Sequence, residues 1–141
     1  MRGFWKTSVG LALLLCVTNA WAADLVMIVN KVNTNPIDRV FVISVYTGNT
    51  RYWPDDSGPI FVVDQGEHSA IRAEFYTRVL GKSVATMKVL WAQNIFSGRA
   101  LPPKVADPDV EVKRLIAGNR NAIGYIRAAS ADDTVRVVEL R

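Results

Sequence analysis

The sequence has 141 residues, of which 50% are hydrophobic and 21% are charged, and its formal net charge is +4. This length suits one globular domain, and so high an apolar content excludes an intrinsically disordered chain. Nowhere do basic and aromatic residues alternate in a cluster, so the composition does not indicate a nucleic-acid partner.

The first 22 residues have the organisation of a secretory signal peptide. Arg2 and Lys6 form a basic start, an apolar run covers Val9–Val17, and the segment Ala20-Trp21-Ala22 has the small-x-small form of a cleavage site. The apolar run is shorter than the roughly 20 residues that cross a bilayer. We therefore predict a signal peptide at 1–22, a periplasmic mature protein and no membrane insertion after cleavage.

Cleavage changes the balance of charge and removes the only cysteine. Removal of 22 of the 141 residues leaves 119, and removal of Arg2 and Lys6 from the 17 basic residues leaves 15 against 13 acidic residues, a net charge of +2. Cys16 departs with the leader, so the mature domain, residues 23–141, has no disulfide, thiolate metal site or cysteine nucleophile. This domain must be held together by its core alone.

The mature chain begins with a predicted strand and a predicted helix. Leu25–Val29 is a continuous apolar run, typical of a strand that is buried on both faces. Asn35-Pro36 and Gly48 favour a helix between them, with Asn35 as its capping residue. The β-branched residues of 38–46 make a strand the competing interpretation.

The second strand and two further helices are predicted in the middle of the chain. Ile60–Val63 predicts the strand, and Ser69 can cap a helix that runs to about Leu80. Another helix is predicted from Ser83 to the residue before Gly98, with five apolar residues toward one side: Val84, Met87, Leu90, Trp91 and Ile95. Because their linker is short, these helices are expected to form a pair.

The last third contains one helix and two closing strands. Leu101-Pro102-Pro103 breaks the chain, and Asp107-Pro108 opens a helix that extends to Ala117. Residues 122–126 and 134–140 are predicted strands. Helices that lie between strands predict an α/β domain with a mixed sheet of about four strands and helices on both faces.

Three segments carry a resemblance to a known family. They are Ile43–Trp53, the strand and loop from Phe61 to Ser69, and Gly118–Ile126 with its Ala-Ile-Gly-Tyr core. Together they resemble the phosphate-binding proteins of ABC transporters, which are two-lobed periplasmic solute-binding proteins. The resemblance covers almost the whole mature chain, and it implies one lobe of a periplasmic binding protein type II-like fold.

This resemblance implies a function and a set of partners. A secreted solute-binding protein is expected, not an enzyme, with a small oxyanion such as phosphate as its ligand and no cofactor. An ABC transporter or another periplasmic protein is the expected partner. The alternative is a single-lobe interaction module, whose former ligand cleft is a surface for a periplasmic protein or for a second copy.

The same resemblance places the ligand at the loop before the second predicted helix. The N–H groups and the positive dipole end of a helix start suit a tetrahedral oxyanion, and Ser69 adds a hydroxyl group. Gln65 stands where the family has an arginine, and Ser69-Ala70-Ile71 replaces its Ser-Gly-Thr. The expected ligand residues are Gln65, His68, Ser69, Ala70 and Arg72.

Two of these residues have a plainer interpretation. Arg72 can fold back toward an anion at Ser69, or it can be a solvated helix arginine. His68 lacks a second histidine or a cysteine to complete a metal site, so it can equally be a surface residue. The acid pairs Asp55-Asp56 and Asp132-Asp133 lie among turn residues, so the sequence predicts neither a catalytic constellation nor a metal site.

Overall fold

The structure is a computed structural model that describes residues 25–140 and the isolated Gly3, so the predicted signal peptide and its cleavage site lie outside the continuous described part. Its strands are β1 (Leu25–Val29), β2 (Phe61–Asp64), β3 (Lys104–Val105), β4 (Ala122–Arg127) and β5 (Arg136–Val138). Its helices are α1 (Arg39–Tyr46), α2 (Ala70–Phe75, continued by a π-helical turn over Tyr76–Leu80), α3 (Val84–Phe96) and α4 (Asp109–Gly118). Over residues 25–140, no helix has the length and apolarity that crossing a membrane requires.

All five strands belong to one mixed sheet in the order β3-β2-β4-β1-β5. Strand β2 runs parallel to β3 and β4, whereas β1 runs antiparallel to both β4 and β5. The carboxyl ends of β2, β3, β4 and β5 therefore meet at one edge of the sheet, which we call the carboxyl edge. The loops that leave this edge position the candidate site.

The core lies on both faces of the sheet because successive side chains of a strand point to opposite faces. On one face, Met27 and Val29 pack with α1, α2 and the π-helical turn. On the other face, Ile28 packs with α4. A Cβ atom at Gly124 would lie 3.1 Å from a methyl group of Val112, so the absent side chain lets α4 lie directly on β4. The α/β fold class with helices on both faces is confirmed.

The structure corrects the predicted start of α1. The segment is a helix, as its flanking signals favoured, but its capping residue is Asp38, whose Oδ1 accepts from Phe41 N at 2.8 Å. The predicted cap, Asn35, is buried, and its Nδ2 donates to Asn33 Oδ1 and to Asp55 Oδ2. The helix therefore begins three residues later than the pattern indicates.

Strand β3 is the fifth strand, one more than the sequence predicts. It has two residues, directly after Pro102 and Pro103, and it pairs with β2 at Val63–Lys104 and Asp64–Val105. Two residues are too few to show a period-2 pattern, so the segment resembles a loop in the sequence. Its position matters because it brings the start of α4 to the carboxyl edge.

Helix α3 also packs differently from the prediction. Met87 is buried and Trp91 is half-buried, but Val84 and Ile95 are exposed. Asn94 is buried instead, and its Nδ2 donates to the carbonyl oxygen of Thr47 at 3.0 Å. A polar residue therefore lies on the packing face, where hydrophobic periodicity does not find it.

Candidate functional site

The candidate site is an open cavity of about 640 Å³ at the carboxyl edge. The loop that follows β2 forms one side, and the start of α4 and the chain after β4 form the rest. Four of the five residues expected from the sequence line it, namely Gln65, His68, Ser69 and Ala70. The structure adds lining residues that are not among the expected ligand residues: Ile71, Asp107, Pro108, Asp109, Val110, Arg127 and Ser130.

A chain of hydrogen bonds joins the starts of α2 and α4. Ser69 Oγ donates to Gln65 Oε1 at 2.8 Å, and Gln65 Nε2 donates to Asp109 Oδ1 at 2.9 Å and to Tyr125 O at 3.1 Å. The other carboxylate oxygen of Asp109 accepts from Arg127 N at 3.0 Å. Gln65 is only 4% exposed, so it is part of the cavity wall.

The start of α2 has no side-chain cap. Because Ser69 Oγ is turned to Gln65, it does not accept from an N–H group of the helix. The first N–H groups of a helix have no acceptor within the helix, and they carry the positive end of its dipole. Ala70 and Ile71 hold such positions, and both line the cavity. This arrangement can hold a small anion.

Two carboxylates face the same loop. Asp107 Oδ1 accepts from Gly66 N at 3.0 Å, and a Cβ atom at Gly66 would lie 2.1 Å from Asp107 Oδ2. Asp109 is the second carboxylate, and its Oδ1 accepts from Gln65 Nε2 of the loop. Arg127 brings a guanidinium group to the lining, and its Nη1 lies 3.4 Å from an oxygen of Glu74. The cavity thus combines N–H donors, a guanidinium group and carboxylate acceptors.

Arg72 is the one expected residue that the structure does not bring to this cavity. Its Nε donates to Tyr76 OH at 3.1 Å and lies 3.7 Å from Asp64 Oδ2, and its guanidinium carbon lies 4.9 Å from the centre of the Tyr76 ring. The side chain is 19% exposed in this cluster, so Arg72 is not a solvated helix arginine, and its role toward an anion stays a prediction.

The cluster that holds Arg72 is centred on the buried carboxylate of Asp64. The hydroxyl groups of Tyr76 and Tyr125 both donate to it, as does Gln65 N at 2.8 Å. Burial, and then the charge of Asp64, raise the pKa of each tyrosine well above its ordinary value. Both hydroxyl groups therefore keep their protons and remain donors. This cluster fixes the end of β2 from which the loop departs.

His68 lies exposed at the rim of the cavity. Among residues 25–140, no group of three or more His, Cys, Asp or Glu side chains is placed to hold a metal ion. Sequence reasoning missed Asp107 and Asp109 because their approach depends on β3. The sequence predicts a helix start at Asp107-Pro108, but it does not predict β3, the strand that brings this helix start beside β2.

The chain matches no protein-family model and no curated protein. Solved structures share its fold. An ABC-type phosphate transport receptor from Vibrio cholerae has a TM-score of 0.63 and 22% identity, over 82% of this chain and 45% of that chain. A putative phosphate ABC transporter substrate-binding protein with bound phosphate from Clostridium perfringens has a TM-score of 0.65 and 24% identity, over 83% and 44%. PstS from Borrelia burgdorferi has a TM-score of 0.62 and 12% identity, over 83% and 47%.

These similarities confirm the fold that the resemblance implied. The chain spans less than half the length of the three solved proteins, while they match more than four fifths of it. This coverage is consistent with a single lobe.

Proposed function

We propose that this chain is a secreted periplasmic solute-binding protein that holds a small oxyanion, such as phosphate, at the start of α2. The observation that carries the proposal is the cavity in which the first N–H groups of α2 adjoin the Ser69 hydroxyl group. It lies in a fold that proteins named for phosphate transport share. The predicted signal peptide supports the periplasmic location.

The carboxylates of the cavity favour an oxyanion that keeps a proton. Hydrogen phosphate accepts hydrogen bonds from N–H groups and also donates one, so it can bond to both the start of α2 and Asp107 or Asp109. Sulfate has no proton to donate at neutral pH and would meet these carboxylates as a like charge. We therefore expect phosphate to bind more tightly than sulfate.

A partner is expected because the cavity is open on one side. Pockets for small molecules enclose most of the surface of their ligand, roughly 70–90% for a drug-sized molecule. We propose that another chain covers the ligand, either an ABC transporter or another periplasmic protein. The structural neighbours are transport proteins rather than enzymes, and we propose a non-enzymatic role for this chain as well.

Calorimetric titration of the purified full chain with sodium phosphate tests the proposal. Phosphate at a hundredfold excess over the dissociation constant should stabilise the fold by about 2.7 kcal/mol. Ser69→Ala should weaken phosphate binding, because the bond from Ser69 Oγ to Gln65 Oε1 holds the loop that presents the first N–H groups of α2. Ser83→Ala is the matched control, because Ser83 begins α3 and caps it through Thr86 N, outside the cavity lining. The absence of both binding heat and a thermal shift with phosphate would contradict oxyanion binding. Identical phosphate affinities of S69A and S83A would contradict it as well.

The interaction module remains the second candidate because the loop is internally satisfied. Ser69, Gln65 and Asp109 bond to one another, and Asp107 already accepts from Gly66 N. An interaction module predicts a silent phosphate titration together with capture of a periplasmic protein that phosphate does not affect. A phosphate-dependent complex would favour the solute-binding function instead.

A further inference from the structure

Another cavity lies beside the amino end of β2, away from the carboxyl edge. It has a volume of about 530 Å³ and shares no lining residue with the candidate site. Pockets for small molecules have volumes of roughly 300–1,000 Å³, mostly apolar walls and a few polar groups. Rings and prolines form much of this wall, namely Tyr52, Pro59, Phe61, Trp91, Pro102 and Pro103. We call it the amino-end cavity.

Hydrogen bonds hold the walls of the amino-end cavity in place. Trp91 Nε1 donates to Tyr46 O at 3.0 Å, which fixes the orientation of the indole ring. The loop that carries Arg51 and Tyr52 is tied to the sheet, because Ile60 N donates to Arg51 O at 2.9 Å. Tyr52 is 63% exposed and lines the cavity from this loop. The cavity is therefore formed before a ligand enters.

The edge of β2 is open at one residue inside this cavity. Phe61 N donates to Asn121 O on the side of β4, so the N–H group of the next residue, Val62, points to the side of β3. Strand β3 pairs with β2 only from Val63 onward. The register therefore gives Val62 N no acceptor within the sheet, and Val62 lines the cavity.

Two cations complete the lining. Arg51 and Lys104 both line the cavity, and none of its described lining residues is an aspartate or a glutamate. Arg51 Nη1 donates to Arg99 O at 3.1 Å, a neutral acceptor that leaves the guanidinium charge uncompensated. The carboxylate of Glu111 pairs with Arg114 rather than with Lys104. The cavity thus offers positive charge and a backbone donor to a ligand that is an anion.

We propose that the amino-end cavity binds a small carboxylate whose body is a flat apolar ring. The ring packs among the aromatic and proline side chains, and the carboxylate accepts from Val62 N and faces Arg51 and Lys104. A carboxylate suits these partners because it only accepts hydrogen bonds and brings the negative charge that the lining lacks. Inorganic phosphate has no apolar body for these walls to cover. The site is therefore separate from the oxyanion site in both place and ligand.

An extended peptide is the competing occupant, because open sheet edges can add a strand. Strand addition needs a row of free N–H and C=O groups. Here the edge of β2 is covered on either side of Val62, by Arg51 at Ile60 and by β3 from Val63 onward. One free N–H group fits a single carboxylate better than it fits a strand.

NMR titration of the isotope-labelled full chain with sodium 3-phenylpropionate tests the proposal. The amide signals of Arg51, Tyr52 and Val62 should shift and saturate, with a dissociation constant on the order of 1 mM for a ligand of this size. The signals of Ala70 and Ile71, at the start of α2, should not move. 3-Phenylpropionamide lacks the charge and propionate lacks the ring, so each should bind at least about fivefold more weakly.

Variants of the two cations test the polar side of the site. Arg51→Gln and Lys104→Gln should each weaken the binding of 3-phenylpropionate about two- to fivefold. Lys31→Gln is the matched control, because Lys31 is exposed in the turn after β1 and lies outside the cavity lining. The proposal is overturned if no amide signal of the cavity shifts at about 10 mM ligand, or if the amide binds as tightly as the carboxylate. It is also overturned if K31Q weakens binding as much as R51Q and K104Q do.

Discussion

Replacement of Asp64 by asparagine removes the centre of the buried cluster at the end of β2. Asp64 accepts from three donors, namely the hydroxyl groups of Tyr76 and Tyr125 and the backbone N–H of Gln65. An asparagine keeps one carbonyl oxygen and presents an NH₂ group, so at least one of these donors meets another donor. The Arg72 guanidinium, 3.7 Å away, also loses its carboxylate partner.

The cost of this change follows from the bonds that are lost. A hydrogen bond to a charged group contributes about 1.5–3 kcal/mol, and a buried donor without an acceptor adds a penalty of similar size. We therefore expect Asp64→Asn to lower the free energy of unfolding by about 3 kcal/mol. Tyr125→Phe and Tyr76→Phe each remove one donor and leave the carboxylate in place, so each should cost about half as much.

Urea unfolding followed by tryptophan fluorescence measures these differences. With a slope of 1–3 kcal/mol per molar urea, a loss of about 3 kcal/mol moves the midpoint by about 1–3 M. Asp133→Asn is the control, because Asp133 is exposed in a turn. The assigned role of Asp64 is refuted if the free energy of unfolding of D64N lies within about 1 kcal/mol of the wild-type value at an unchanged slope. It is also refuted if either tyrosine variant lowers that free energy more than D64N does.

Three further variants probe other parts of the structure. Gly66→Ala should push the Asp107 carboxylate off the loop, because the new Cβ would lie 2.1 Å from its Oδ2; the cost in unfolding free energy should be about 1 kcal/mol and should disappear in an Asp107→Ala background. Asn30→Leu should cost about 2 kcal/mol and speed amide exchange in the last turn of α4, since Asn30 Nδ2 donates to two carbonyl oxygens there at 2.9 and 3.1 Å. The hydrogen bond from Lys113 lowers the pKa of Asp132 below its ordinary value. The folded state therefore gains stability above the unfolded pKa of about 3.9, and this gain disappears as the pH falls further. In Asp132→Asn, unfolding measured between about pH 2 and pH 6 should depend less on pH.

Local signals predicted the helices well because each depends on a few adjacent residues. Gly81 has a φ of +65°, a left-handed conformation that glycine adopts without strain, and it ends the helical segment that closes at Leu80. Ser83 caps α3 by accepting from Thr86 N at 3.0 Å. In both places the residue type alone determines the local geometry.

The parts that sequence reasoning missed depend on residues far apart in the chain. Asp107 reaches Gly66 across 41 positions, and the contact needs β3, whose two residues show no period. Arg72 is drawn into the Asp64 cluster because two tyrosines concentrate buried polar groups there. No local sequence pattern predicts these long-range contacts, because they depend on the order of the strands in the sheet, which the whole fold determines.

Gln65 shows how the loop differs from a site built on an arginine. The glutamine amide accepts from Ser69 through Oε1 and donates to Asp109 through Nε2, so one side chain links the starts of α2 and α4. A guanidinium group has donors only and could not accept from the serine. Because Gln65 is buried and fully bonded, it contributes shape to the cavity but no charge to a ligand. In the proposed function, the donors that α2 offers to an oxyanion are its first N–H groups. Under the proposed function, we therefore expect the affinity for phosphate to rise as the proposed partner excludes water from those donors.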